Sequence, residues 1–190
     1  MGPIAIIESR WWESGNHSVR DLFEAVAAIH YDNPSAFFYD MFADKVSLGT
    51  VLKTRGNDLT TEVIYLASHG NENQIGPTAK NVISCAEFRN LIISANSLES
   101  IKGIYFGTCL TGNASTAKFL LTNQKTKIHW VAGYNKSVDW VDGSAIDMIF
   151  MSKLAQLYVD NKRKKKREIA PQRNGTQSSN KPHSTDSRCA

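Results

Sequence analysis

Two residues in this sequence pair a reactive side chain with a setting that could use it. Cys109 follows the apolar run Gly103-Ile104-Tyr105-Phe106-Gly107 through Thr108, and His69 follows the run Val63-Ile64-Tyr65-Leu66-Ala67 through Ser68. A thiol of ordinary acidity is little ionised at neutral pH, yet its thiolate is a strong nucleophile. An imidazole titrating near neutrality can protonate a leaving amine. Gly70 comes directly after the imidazole. With no side chain in the way, its N–H can approach a developing oxyanion, and such a donor is typically worth about 2.7–4 kcal/mol in the transition state. Taken singly, each residue has a bland reading: a lone Cys packs as a small hydrophobe, and a His-Gly pair makes a turn. The chemistry requires both at one place.

Whether they meet depends on the elements that carry them. Ile4-Ala5-Ile6-Ile7-Glu8 reads as a buried strand, Ala36–Tyr39 as a second, Glu62–Ser68 as a third and strongest, Ile101–Gly107 as a fourth and Ile128–Ala132 as a fifth. Strands apolar on both faces belong in a parallel sheet covered by helices. Helical spacing occurs between them. Ser18 is placed to cap a helix burying Val19, Leu22, Phe23, Val26, Ala27 and Ile29. Val46–Leu52 reads as a short helix, Ser84-Cys85-Ala86-Glu87 as a capping box for a helix through Ile93, and Ala114 to about Asn123 as a helix capped by Asn113 or Thr111. From Gly143-Ser144 an amphipathic helix is expected to bury Ile146, Ile149, Phe150, Leu154 and Leu157. The polar stretch 71–83 reads as a small hairpin or excursion.

Alternating strands and helices predict an α/β, three-layer sandwich with a mostly parallel sheet and right-handed crossovers. In such sheets ligands bind beyond the carboxyl ends of the strands. His69 and Cys109 both stand there, and ends of adjacent strands, ~4.8 Å apart, bring two side chains to one carbonyl. The expected site of Cys109 just before a helix N-terminus would also favour its thiolate.

Composition narrows the class. The chain has 190 residues, of which 42% are apolar. Of its 22 Lys and Arg, nine fall in residues 161–190 against two of its 18 Asp and Glu, leaving thirteen basic and sixteen acidic residues in 1–160. The reading is one folded domain over 1–160, mildly acidic, and a basic, disordered tail over 161–190 whose only foreseeable nucleic-acid contact is through its charge run. Apolar runs are far shorter than the ~20 residues of a membrane span, and no secretory leader is recognisable. Three cysteines, Cys85, Cys109 and Cys189, form no Cys-x-x-Cys pair. These features predict a reduced, cytoplasmic protein with no membrane partner, no disulfide framework and no metal or organic cofactor. Other thiol or phosphate chemistries find no support. A Cys-x5-Arg loop would need Arg where Ser115 stands, and a Walker loop would need Lys where Asn113 stands. His17, His30 and His129 offer no ligand spacing, and His129 is expected to pack inside a strand.

The segment Ile64–Gly70, about forty positions ahead of Gly103–Cys109, resembles the paired signatures of caspase-like cysteine peptidases, and the whole of residues 4–158 is most similar to bacterial CHAT domains. Val131-Ala132-Gly133-Tyr134 and the stretch Val138–Ala145 add to that likeness. The resemblance implies a caspase-haemoglobinase fold and a cysteine endopeptidase, a thiol hydrolase acting on protein or peptide substrates. Cys109 would be the nucleophile that forms a thioester and His69 the general acid–base. The backbone N–H groups of Gly70 and Cys109 would form the oxyanion hole. Asp139, Trp140 and Asp142 lie where relatives build part of the substrate pocket, an inward carboxylate there favouring Arg or Lys. Arg10 and Arg20 follow the first strand, but Arg20 fits a helix face, so no preference for aspartate is expected. The chain is short for the family and shows no processing loop. That leaves open reliance on an activating or regulatory protein partner, and also an inactive caspase-like scaffold serving as a protein-binding module.

Overall fold

The computed structural model describes residues 2–169, apart from the side chains of 167–169. Five parallel strands form the central sheet: β1 (Ile4–Ser9), β2 (Phe38–Phe42), β3 (Val63–Ala67), β7 (Gly103–Gly107) and β8 (Trp130–Gly133), in the order β2-β1-β3-β7-β8. A second, antiparallel sheet of three very short strands, β4 (His69–Gly70), β5 (Gln74–Gly76) and β6 (Ile83–Ser84), occupies the polar excursion. Helices α1 (Arg20–Tyr31) and α5 (Trp140–Ile169) cover one face of the large sheet. Helices α2 (Lys45–Gly56), α3 (Cys85–Ala95) and α4 (Ala114–Leu121) cover the other. The expected α/β class with a helix-flanked parallel sheet is therefore present.

Alternation along each strand divides the core. Ile64 and Leu66 of β3 pack with Leu48, Leu52, Phe88 and Ile92 from α2 and α3. Val63, Tyr65 and Ala67 turn the other way, towards Phe23 of α1 and Met151 of α5. Both sets are fully or nearly fully buried, because side chains of successive strand residues leave the sheet on opposite faces.

Several local expectations are corrected. The second strand starts at Phe38, after an Asx turn in which Asn33 accepts from Ser35 N at 2.9 Å and delays entry into the sheet. The last strand starts at Trp130, which leaves His129 exposed ahead of the strand rather than packed within it. Ser18 is not the N-cap of α1, which begins after Val19 with no side-chain cap. Its hydroxyl is taken by Glu8 Oε2 at 2.6 Å. Ile29 points outward, 69% exposed.

The largest correction concerns α5. It starts at Trp140, earlier than expected, because Asp139 Oδ1 accepts from Val141 N at 2.8 Å and from Asp142 N at 3.0 Å. Its inward row is Asp147, Met151 and Ala155, flanked by Phe150 and Leu154, while Ile146, Ile149 and Leu157 are exposed. The helix runs on through the basic run to Ile169. Of the tail expected to be disordered over 161–190, residues 161–169 are instead helical, as a continuation of α5, and 170–190 lie outside the described residues. No described helix is long and apolar enough to cross a membrane.

Candidate active site

Strands β3 and β7 are neighbours, in register through Ala67 and Gly107, so the segments that follow them leave the sheet side by side. After Ser68 the chain enters β4, which carries His69 and Gly70 into the small sheet opposite Gly76 and Ile75. After Thr108 it reaches Cys109. The two segments interlock at Gly70. A Cβ there would meet the Thr111 hydroxyl and would come within 2.9 Å of both the Cys109 carbonyl oxygen and Thr108 Cβ. Only glycine allows this approach. Thr111 Oγ1 then donates to Asn71 O at 3.0 Å, and Asn113 Nδ2 donates to Leu110 O at 2.8 Å and Glu72 O at 3.3 Å, tying the thiol loop to the start of the excursion.

The loop after the thiol is bent in an unusual way. Leu110 has φ of 63°, a left-handed conformation that costs a non-glycine residue on the order of 1–3 kcal/mol. It is held by Leu110 N donating to Lys136 O at 3.2 Å, Thr111 N to Cys109 O at 2.7 Å and Gly112 N to Tyr134 O at 2.9 Å. Helix α4 therefore begins further on, at Ala114, with Asn113 as its cap. The groups beside the sulfur come instead from the segment between β8 and α5. Cys109 Sγ donates to Val138 O at 3.6 Å, and the Ser137 hydroxyl lies 3.9 Å from the sulfur. The Cys109 N–H has no hydrogen-bond partner among the described residues. Cys109 is half-buried and His69 exposed, as accessible reactive groups must be.

His69, Gly70 and Cys109 line one cavity of about 140 Å³. Trp11 and Trp140 form its aromatic wall, their ring centroids 5.1 Å apart. The Trp11 indole meets the His69 ring edge-on, with centroids 6.0 Å apart at 78°. The end of β1 positions that indole. Glu8 is fully buried and accepts from Trp11 Nε1 at 3.3 Å, Val19 N at 2.9 Å, Ser18 Oγ and the Tyr39 hydroxyl. Beside it, the Ser9 hydroxyl donates to Ser68 Oγ at 3.0 Å, joining the ends of β1 and β3.

The three pocket residues suggested by resemblance are separated by the fold. Trp140 lines the cavity. Asp139 also reaches it, but its carboxylate is exposed and committed to capping α5, and the backbone N–H groups it accepts hold its pKa below the usual value. Asp142 is exposed and does not line this cavity. Cys85 lies apart, at the start of α3, with its sulfur 3.7 Å from Thr116 Oγ1.

Asp147 is the residue that sequence reasoning missed. It lines the cavity and is 6% exposed. Tyr65 and Tyr134 donate their hydroxyls to its two oxygens, and the Tyr105 phenol, stacked on Tyr65, faces it as well. Burial pushes its pKa up, against the lowering effect of the three phenols. The same burial, with Asp147 alongside, pushes the pKa values of Tyr65, Tyr105 and Tyr134 well above the ordinary tyrosine range, so these phenols stay protonated as donors. A signal was available: Asp147 is four residues from Gly143 and four from Met151, on the inward row of α5. Tracing the helix along its isoleucines concealed that row.

No group of three or more His, Cys, Asp or Glu placed to hold a metal ion occurs among the described residues. A scan against known protein families finds no model that matches this chain, and a search of curated proteins finds no match.

Proposed function

We propose that this chain is a cysteine endopeptidase of the caspase-like type, close to CHAT domains, cleaving protein or peptide substrates through Cys109 and His69 without a cofactor. The observation that carries the reading is the shared cavity: a half-buried thiol and an exposed imidazole, delivered by adjacent parallel strands, line one space. The helix-flanked parallel sheet and the short sheet after β3 fit a caspase-haemoglobinase fold.

The sulfur of Cys109 attacks the scissile carbonyl carbon, forming a C–S bond, and its proton passes to His69. The oxyanion is held by the Cys109 N–H, which is otherwise unengaged, and the Gly70 N–H. Collapse of the tetrahedral intermediate breaks the C–N bond, and the His69 proton leaves with the amine. Water, deprotonated by His69, then hydrolyses the thioester and restores the thiol. Trp11, itself held by Glu8, contacts the imidazole edge-on and orients His69.

Cys109→Ala and His69→Ala are each expected to lower cleavage of a peptide library by at least about 10³-fold while leaving the thermal unfolding transition in place. Cys85→Ala is expected to leave cleavage unchanged. Undiminished cleavage in both Cys109→Ala and His69→Ala would remove the assignment. A wild-type chain that cleaves nothing but still binds a protein partner would favour the scaffold reading.

A further inference from the structure

We propose that the last part of α5, the basic run Lys162–Arg167, lies in the major groove of duplex DNA and holds its phosphates without reading its sequence. This surface is remote from the candidate active site, and the inference does not rest on the peptidase reading.

Among the described residues, Tyr158 is the last of α5 to pack on the core, after the inward row Asp147, Met151 and Ala155. One turn further on, Lys162 continues that row, yet it is exposed. The sheet no longer covers the helix there, and α5 continues to Ile169 with residues 161–166 all exposed. A short helix without packing has little stability of its own. Its cations also stand three and four positions apart, as Lys162 does from Lys165 and Lys166, and so repel one another. None of the ion pairs among the described residues engages Lys162–Lys166. An anionic partner would turn that repulsion into attraction.

The arrangement of charge selects the partner. Consecutive residues of an α-helix stand about 100° apart around its axis, so six cations in a row present charge on every side. A helix that lies in a lipid surface needs one apolar face, and 162–167 offers none. Single-stranded nucleic acid is held largely by stacking on aromatic rings, and residues 159–169 include no aromatic side chain. The major groove of B-DNA, about 12 Å wide, admits a helix about 10–12 Å across and places a phosphate wall on either side of it. Cations around the whole circumference reach both walls. The major groove of duplex RNA is too narrow for this. Lysine, the commoner residue of the run, meets phosphate as a point charge, which gives affinity without sequence preference. Residues 1–160, with sixteen acidic and thirteen basic side chains, add no general attraction. Lys162 is fifteen residues beyond Asp147, about 22 Å along the helix axis, so the groove contact is made away from the cavity.

The test uses the full chain and the fluorescence anisotropy of a labelled DNA duplex of about 20 base pairs. Binding is expected to weaken with salt, log K falling against log salt with a slope of about −5 if all six cations reach phosphates. A flat salt dependence would overturn the proposal. Replacing three cations together, by Lys164→Glu, Lys165→Glu and Lys166→Glu, is expected to weaken binding at least about 100-fold and leave the thermal unfolding transition in place. Undiminished binding would overturn the assignment to this run. Helical presentation has its own test. Lys164→Ala and Lys164→Pro remove the same charge, but only proline breaks the helix, so the proline variant is expected to bind at least about tenfold more weakly than the alanine variant. Equal affinities would overturn the groove geometry. Single-stranded DNA, duplex RNA, phosphatidylserine vesicles and polyglutamate, each at equal negative charge, are expected to compete at least about tenfold less well than unlabelled duplex DNA. If any of them competes better, that partner replaces duplex DNA and the proposal fails.

Discussion

The two faces of the large sheet are built on different principles. Beneath α2, α3 and α4 the core is aliphatic with Phe42 and an edge-on Phe88–Phe106 pair, and its nearest charges, the Arg55–Asp40 ion pair, sit half-buried at the β2 edge. Its helices obey local rules. Asp44 with Ser47 and Ser84 with Glu87 form complete capping boxes, so α2 and α3 start where their own residues dictate. Beneath α1 and α5 the core carries Tyr65 and Tyr105 together with both buried carboxylates, Glu8 and Asp147. There the local rules give way: Val19, not Ser18, is the N-cap of α1, the Ser18 hydroxyl donates to Glu8 while accepting from Arg20 N, and α5 turns an aspartate inward. Sequences that specify one structure satisfy local and global preferences together, and departures gather where a site is built. One sheet thus separates the face that secures the fold from the face that shapes the cavity.

The contrast can be broken by substitutions on either side. The largest effect is expected from Leu66→Ala, fully buried on the aliphatic face, which should lower unfolding free energy in a denaturant titration by about 2–5 kcal/mol. Folded Leu66→Ala protein should retain peptide cleavage, and a loss of cleavage without loss of stability would show that the faces are not separate. Next comes Glu8→Gln, which keeps the shape but sets an amide among four donors. A loss of about 1–3 kcal/mol is expected. Release of the Trp11 indole should also displace His69, so cleavage should fall. Normal cleavage would deny Glu8 and Trp11 their positioning role. The smallest effect is expected at half-exposed Glu87 on the other face. The hydrogen bond from Lys45 and those from Ser84 hold its pKa down, from 4.5 to about 2. A carboxylate with a depressed folded pKa contributes stability that is present above pH 4.5 and lost as pH falls through about 2. Acid titration of melting temperature should therefore show a smaller drop across that window in Glu87→Gln than in the parent.

The aliphatic face was largely legible in advance. The capping box at Ser84, a cap for α4 at Asn113 or Thr111 and the strands read at Glu62–Ser68 and Ile101–Gly107 follow from signals contained within a few residues, and the structure has them as Ser84, Asn113, Val63–Ala67 and Gly103–Gly107. The other face was legible only in outline. Ile146 and Ile149 have the spacing of a buried stripe, yet they are exposed, because α5 packs along α1 and over Tyr105 through Phe150, Met151 and Leu154. Helical periodicity admits more than one inward row, and the partner surface selects among them.

The amino-acid sequence on its own determined the alternation of strands and helices, and it set a thiol and an imidazole at two strand ends, since propensity, periodicity and punctuation act over short spans of chain. Tertiary structure alone decided that these ends adjoin, that Gly70 seats one loop against the other, and that Asp147 and Trp11 complete the cavity around them. The reason is physical: adjacency in a sheet and burial of a charge depend on contacts between residues far apart in the chain, and no local pattern encodes which partner a side chain will meet.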